Sequence, residues 1–213
     1  MNPPLGTGGL IGIKLLKIPK KSHIFLSVKM KIPEEYNHTS VLLDTSVLIE
    51  ISKGRDKMRP FSSVLQEANL APYIIDAIYF EFVGHACSLR ERTDLESLVS
   101  AEYPVVSSRS DDVANAVKLS QFYSIADRGR YKNIGYVDCL IAAQLLRYKN
   151  HVLLATLNID DFPIFIFDRV VVAAYDVGEK VVTIALIGYN DEKMNIALER
   201  YNRAVEVEKR KST

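Results

Sequence analysis

Short apolar runs that end at an acid recur along the chain, and they predict most of its elements. Val41-Leu42-Leu43 stops at Asp44-Thr45-Ser46 and passes into Val47-Leu48-Ile49 and Ile51, with Gly54 as a helix stop, so this stretch reads as strand, turn, helix. Phe61, Val64, Leu65 and Ala68 recur at helical spacing and predict a second helix before a turn over residues 69–72. Tyr73-Ile74-Ile75 reads as a buried strand, Asp76 as a helix cap, and Ile78 through Leu89 as one helix carrying Glu81. Leu95 and Leu98 mark a short helix, Pro104-Val105-Val106 a brief strand, and Ser110-Asp111-Asp112 the cap of a long helix through Ala126 that ends at Gly129. After a basic loop, the stretch from Val137 to Leu146 is strongly helical with Asp138 in its first turn. His151 to Thr156 is a buried strand that runs into the polar turn Asn158-Ile159-Asp160-Asp161.

Val170-Val171-Val172 has the look of a parallel core strand, and the segment from Val181 to Ile187 that of an appended edge strand or hairpin. From Asn190 onward, Met194, Leu198, Tyr201 and Val205 line one face of a terminal helix whose back is charged. Strands alternating with helices imply an α/β fold: a central, mainly parallel sheet with helices on both faces. In such sheets ligands bind beyond the carboxyl ends of the strands, where loops and helix N-termini converge.

Length and composition narrow this picture. A chain of 213 residues, 48% of them hydrophobic, supports one main core with appendages. The expected division is an N-terminal arm or edge hairpin over residues 1–40, a central domain over 41–175, and a strand and amphipathic-helix extension over 176–213. The early apolar runs are interrupted by Lys14, Lys17, Lys20, Lys21 and Lys29, so no window approaches the roughly 20 apolar residues of a membrane span. No signal-peptide pattern is present, and the expectation is a cytoplasmic protein without membrane association. The formal net charge of +1 excludes the strong basic excess of sequence-independent nucleic-acid binders, so any attraction for RNA must be local. Cys87 and Cys139 lie in apolar helical patterns and are expected to be small buried hydrophobes in a reducing compartment.

The chemistry lies in the acids. Asp44 follows the first strand, Glu81 sits early in a helix after the second, Asp138 opens a helix, and Asp160 and Asp161 follow a later strand. Topology can gather these at one sheet edge, where clustered carboxylates need a hard cation, and an all-oxygen donor set favours Mg²⁺ or Mn²⁺ over zinc. Each also has an ordinary role: Asp44 as a cap, Asp138 as a charge at a helix N-terminus, Asp160 and Asp161 as turn formers. Glu81 is harder to explain as a cap, because it is embedded among Ile78, Tyr79, Phe80, Phe82 and Val83.

Leu42-Leu43-Asp44-Thr45-Ser46-Val47-Leu48-Ile49 resembles the opening motif of PIN domains. Phe80-Glu81-Phe82 is similar to the family's second acidic position, Val137-Asp138-Cys139-Leu140-Ile141-Ala142-Ala143 to its third, and Thr156-Leu157-Asn158-Ile159-Asp160-Asp161-Phe162 to its fourth. The resemblance covers about residues 41–172 and, within the family, is closest to the ribonuclease toxins of VapBC toxin–antitoxin modules. It implies a Mg²⁺- or Mn²⁺-dependent endoribonuclease, with Asp44 and Asp138 as primary metal ligands and Glu81 and Asp161 holding a second ion or orienting the attacking water. It also implies an RNA substrate, a cognate antitoxin partner and a homodimer. Thr45, Ser46 and Thr156 would support the ligands with hydroxyl groups, alongside Asn158 and Asp160, and Arg128, Arg130 and Lys132 would touch RNA phosphates. The sequence departs from the family at Asn158, where many members carry aspartate; Asp161 is the anion expected in its place, with Asp160 as competitor. His85, one turn past Glu81, either faces the site or lies on the helix surface.

Asn158 and the near-neutral charge keep a second class open: a catalytically silent PIN-like module that binds RNA or protein as a regulator. A haloacid-dehalogenase-type phosphotransferase expects an acid where this chain has Ser46, and a receiver domain expects a paired acidic cluster ahead of its aspartate; neither pattern is evident. The stripe on the terminal helix is expected to pack on the protein's own core, with self-association or antitoxin docking as its other uses.

Overall fold

The structure, a computed structural model, describes residues 32–36, 39–126, 134–177 and 180–211. The N-terminal arm through residue 31, and Arg128, Gly129, Arg130 and Lys132, lie outside the described residues. Six strands form one sheet in the order β3-β2-β1-β4-β6-β5. They are β1 (Ser40–Leu43), β2 (Ala71–Ile75), β3 (Val105–Val106), β4 (Val152–Thr156), β5 (Phe167–Asp176) and β6 (Val181–Tyr189). The first four are parallel, and β6 and β5 follow as an antiparallel pair beside β4.

Seven helices connect and cover the strands: α1 (Thr45–Lys53), α2 (Arg55–Glu67), α3 (Asp76–Gly84), α4 (Leu89–Glu102), α5 (Ser110–Ala126), α6 (Tyr136–Tyr148) and α7 (Asp191–Lys211). From β1 to β3 the connections step one way across the sheet, and from β3 to β4 they step back past β1. With right-handed crossovers this puts α1–α4 on one face and α5–α6 on the other. The strand order therefore reverses between β1 and β4, and the crevice at their carboxyl ends is where an open α/β sheet places its site.

β1 and β4 fit that central place because nearly every residue is buried on both sides, from Val41, Leu42 and Leu43 to Leu153, Leu154 and Ala155. Helix α6 is fixed over them by a buried polar anchor. Asp112 of α5, fully buried, accepts from Gln144 Nε2 and Arg147 Nη1 of α6, each at 2.8 Å, and from the Arg109 N–H. Loss of one partner of such a pair costs about 3–5 kcal/mol, because a buried charge is left unmatched. Helix α7 docks on α5 through Tyr201, whose ring lies tilted at 49° with its centroid 5.4 Å from that of Phe122, and Met194 and Ala197 of α7 are buried as well. No helix among the described residues is long and apolar enough to cross a membrane.

Several sequence expectations are corrected. The helix expected from Ile78 to Leu89 is two helices, because Ser88 caps α4: its Oγ accepts the Glu91 N–H, and the Glu91 carboxylate reaches back to the Cys87 N–H. The valine run at residues 170–172 belongs not to a parallel core strand but to the antiparallel edge strand β5, and Val172 is half exposed. Of the two alternatives for the segment from Val181, edge strand or hairpin, the hairpin holds: β6 pairs antiparallel with β5 and lies inside the sheet between β4 and β5. Cys87 is exposed in the α3–α4 turn, whereas Cys139 is buried in α6 as expected. Leu198 lies off the docked face of α7, exposed to solvent. Near the N-terminus, Glu34–Tyr36 makes one 3-10 turn and Ile32 joins the core.

Candidate metal centre

The crevice is built by register. Parallel pairing sets Leu43 against Ala155, and the Asp44 N–H continues the ladder onto the Ala155 carbonyl, so Asp44 arrives beside Thr156. Asp44 occupies the N-cap position of α1, yet its side chain makes no capping hydrogen bond. Its Oδ2 instead accepts from Ser46 Oγ at 2.6 Å and Thr156 Oγ1 at 2.7 Å. Those hydroxyls are aimed by the backbone after β4, because Ser46 Oγ accepts the Leu157 N–H and Thr156 Oγ1 accepts the Asn158 N–H. Asp44 is only 4% exposed, so its charge is held by two donors with Oδ1 left over. A buried carboxylate oriented by hydroxyl groups instead of a cation-bearing side chain is a ligand arrangement more than a cap.

Two other acids close on the same point from different elements. Glu81, half-buried in α3, accepts a short hydrogen bond from Thr45 Oγ1 of α1. Asp138 sits in the first turn of α6, three residues after the N-cap Gly135, and the Gly135 N–H hydrogen-bonds its carboxylate. Gly135 has φ −60° and ψ 151°, open to any residue, but a Cβ there would stand 2.7 Å from Asp138 Oδ2. Glycine is needed for room, not for conformation.

The electrostatics join four acids into one field. Burial, followed by the charges of Asp161, Asp44 and Glu81, pushes the Asp138 carboxyl up to about 7 from 3.8, against the lowering effect of the Gly135 N–H. Asp161, in the 3-10 turn Ile159–Asp161, is raised too, by burial and by Asp44 and Asp160. Its neighbour Asp160 points to solvent, 97% exposed, with Arg169 Nη2 3.9 Å away. Of the two acids competing for the fourth position, Asp161 is the one inside the field of Asp138. Asn158 is exposed and His85, at the C-cap of α3, is exposed as well.

A family model for the PIN domain matches residues 41–162, a span that holds Asp44, Glu81, Asp138 and Asp161. The chain belongs to the PIN-domain family. That family consists of metal-dependent nucleases, which generally use divalent ions. Among solved structures, the chain is similar to one in the crystal structure of DNA-bound VapBC from Salmonella typhimurium, at 17% identity and a TM-score of 0.44, over 58% of this chain and 90% of that one. No curated protein matches it.

The donor set of this PIN domain suits the family's ion in chemistry: carboxylates and hydroxyls, all hard oxygen. Among the described residues no three His, Cys, Asp or Glu side chains converge tightly enough to enclose an ion. The acids stand within reach of one another's charge but not in ligand contact, as like charges do when nothing offsets them. Asp44 is buried and pinned by Ser46 and Thr156, whereas Glu81, Asp138 and Asp161 are half-buried. Sequence reasoning missed Gly135, although its spacing of three from Asp138 is that of a capping box.

Gly135→Ala tests this packing. The added methyl displaces the Asp138 carboxylate, the movable partner, and leaves the backbone in place. Mn²⁺ affinity measured by calorimetry is expected to fall about 10–100-fold, as for loss of a ligand-supporting group, with the circular dichroism spectrum unchanged. Parent-like affinity would show that Asp138 does not need that space.

Proposed function

We propose that this PIN domain is a Mg²⁺- or Mn²⁺-dependent endoribonuclease that hydrolyses phosphodiester bonds of RNA, with Asp44, Glu81, Asp138 and Asp161 as its metal-holding carboxylates. The observation that carries the reading is the gathering of Asp44, Glu81, Asp138 and Asp161 from four segments of the chain into one crevice, where burial and then the charges of the other three push the Asp138 carboxyl up to about 7. A cluster that resists its own ionisation is costly to a fold and becomes useful when a divalent cation offsets it. In this reading a bound ion supplies Lewis-acid polarisation of the scissile phosphate and neutralises charge on the leaving oxygen.

The side chains divide the remaining work. Asp44 and Asp138 are the primary ligands: Asp44 Oδ2 is held by Ser46 and Thr156, and the Asp138 carboxylate by the Gly135 N–H. Glu81, steadied by Thr45, and Asp161 hold a second ion or orient the attacking water and take its proton. The toxin of a toxin–antitoxin pair is the cellular role that this chemistry fits, with an antitoxin and a second copy as its partners. The exposed Asn158, neutral where many family members are acidic, favours the rival reading of a silent module that binds RNA or protein.

Incubation of the purified protein with end-labelled single-stranded RNA tests the proposal. Cleavage is expected with Mg²⁺ or Mn²⁺ and none with excess chelator; intact RNA in the presence of both ions would leave the silent module as the better reading.

A further inference from the structure

Beside the four acids lies an open pocket of about 430 Å³ lined by Leu157, Asn158, Ile159, Asp160, Asp161 and Arg169. It joins the acid at the rim of the proposed metal centre to one basic side chain, on the edge strand β5. The strand is irregular there: Arg169 pairs with Ile187 and Val171 with Leu186, so Val170 is an extra residue in the ladder. Bulges of this kind turn a side chain away from its regular direction, and they recur beside active sites. The guanidinium reaches back over the 3-10 turn, with Nη2 3.4 Å from the Ile159 carbonyl and 3.9 Å from the solvent-exposed Asp160 carboxylate.

These are loose contacts for an arginine. Arg147 meets Asp112 at 2.8 Å and Arg55 meets Glu102 at 2.5 Å, whereas among the described residues the contacts of Arg169 are the 3.4 Å hydrogen bond to the Ile159 carbonyl and the 3.9 Å approach to Asp160, both through Nη2. An RNA strand approaching four carboxylates on a chain of net charge +1 needs a local cation, and a planar fork of N–H donors matches a phosphate diester.

Resting on the ribonuclease reading, we propose that Arg169 binds an RNA backbone phosphate next to the scissile one, so that the pocket between Arg169 and Asp161 is where the strand leaves the metal centre. Arg169 is then a substrate-positioning residue. It sets where the strand lies and takes no part in the bond-breaking step.

The test measures RNA affinity by fluorescence anisotropy of a labelled single-stranded oligonucleotide, in an Asp44→Asn background where turnover is removed. Arg169→Gln, which keeps an amide donor for the Ile159 carbonyl but no charge, is expected to weaken binding about tenfold, as for a charge-assisted hydrogen bond. The slope of log affinity against log salt should shrink by about 0.7, the value for one phosphate on a single strand. Arg169→Lys should restore most of that slope, and in the parent background Arg169→Gln should raise KM with kcat little changed. Melting temperature and Mn²⁺ affinity are expected to stay at the parent values. Unchanged affinity and salt slope, with RNA binding otherwise intact, would overturn this inference alone. Loss of RNA affinity that tracks loss of melting temperature in both Gln and Lys variants would also overturn it, since Arg169 would then merely pin the turn. Absence of RNA binding by the parent would remove the ribonuclease reading and this inference together.

Discussion

Asp44→Asn and Asp138→Asn are each expected to lower Mg²⁺-dependent cleavage of single-stranded RNA by about 100-fold or more, beyond the 10–100-fold that loss of a mere supporting group of a metal ligand costs, and to leave the fold intact. Both changes are isosteric, remove the charge and turn one acceptor oxygen into an amide donor. Asp44 makes no capping hydrogen bond to α1, so no helix cap is lost, and an asparagine oxygen still accepts from Ser46 and Thr156. At Asp138 an amide oxygen still accepts the Gly135 N–H at the start of α6. Initial rates with labelled RNA, beside melting curves for each variant, give the result. Parent-like rates in either variant would remove that residue from the metal-holding set, and lost rates with lost melting temperature would assign it to the fold.

The second large effect is on stability, and its sign is set by Asp138. In the fold its carboxyl titrates at about 7, against 3.8 in the absence of its neighbours. Between those values the native state holds more protons than the unfolded one, so ion-free protein is most stable below this window and loses stability as pH rises through 7. Asp161, also raised, contributes with the same sign. Glu50, lowered by Lys53 and Lys180, and Asp168, lowered by Asn190 and Lys193, act oppositely, but only at pH values below their ordinary 4.5 and 3.8. The melting temperature without divalent ions should therefore fall between pH 5 and pH 8, and Mn²⁺ should raise it by several degrees at pH 8 and little at pH 5, where protons compete for the ligands. Asp138→Asn should flatten the profile and exceed the ion-free parent at pH 8. A parent whose ion-free stability rises over this range, with or without Mn²⁺, would contradict the shared field.

Much of this arrangement was legible in residue order. A run such as Val41-Leu42-Leu43, apolar without alternation and closed by an acid, signals a strand buried on both faces that opens onto a sheet edge; β1 and β2 follow that pattern, and in β4 the acids come a few residues later, after Thr156-Leu157-Asn158. The same criterion misled at β5: three consecutive valines imitate a core strand, while the alternation of buried and exposed residues through Asp176 is that of an edge. In β6 the unbroken run from Ile184 to Tyr189 was the better signature of an inner strand. The division of α3 from α4 was also written in the chain, since Ser88 and Glu91 have capping-box spacing that the apolar periodicity of residues 78–89 obscured.

At the site, position along the chain identified which acids to consider but not what each side chain does. Asp44 stands where a cap stands and does not cap; only the register that brings Thr156 beside it shows why. Asp161, next to Phe162, was the expected anion with Asp160 as its competitor, and one turn of 3-10 helix leaves Asp160 in solvent and Asp161 within the field of Asp138. Arg169 gave no signal, because its direction depends on a strand irregularity that no residue type marks.

Anomalous scattering from a Mn²⁺-soaked crystal is the most direct measurement of whether these acids share one cation. The expected result is a peak in the crevice beyond β1 and β4, with carboxylate oxygens of both Asp44 and Asp138 at about 2.0–2.3 Å, and Glu81 and Asp161 turned toward it. A crevice without manganese at saturating concentration, or a peak bound by neither aspartate, would contradict the account.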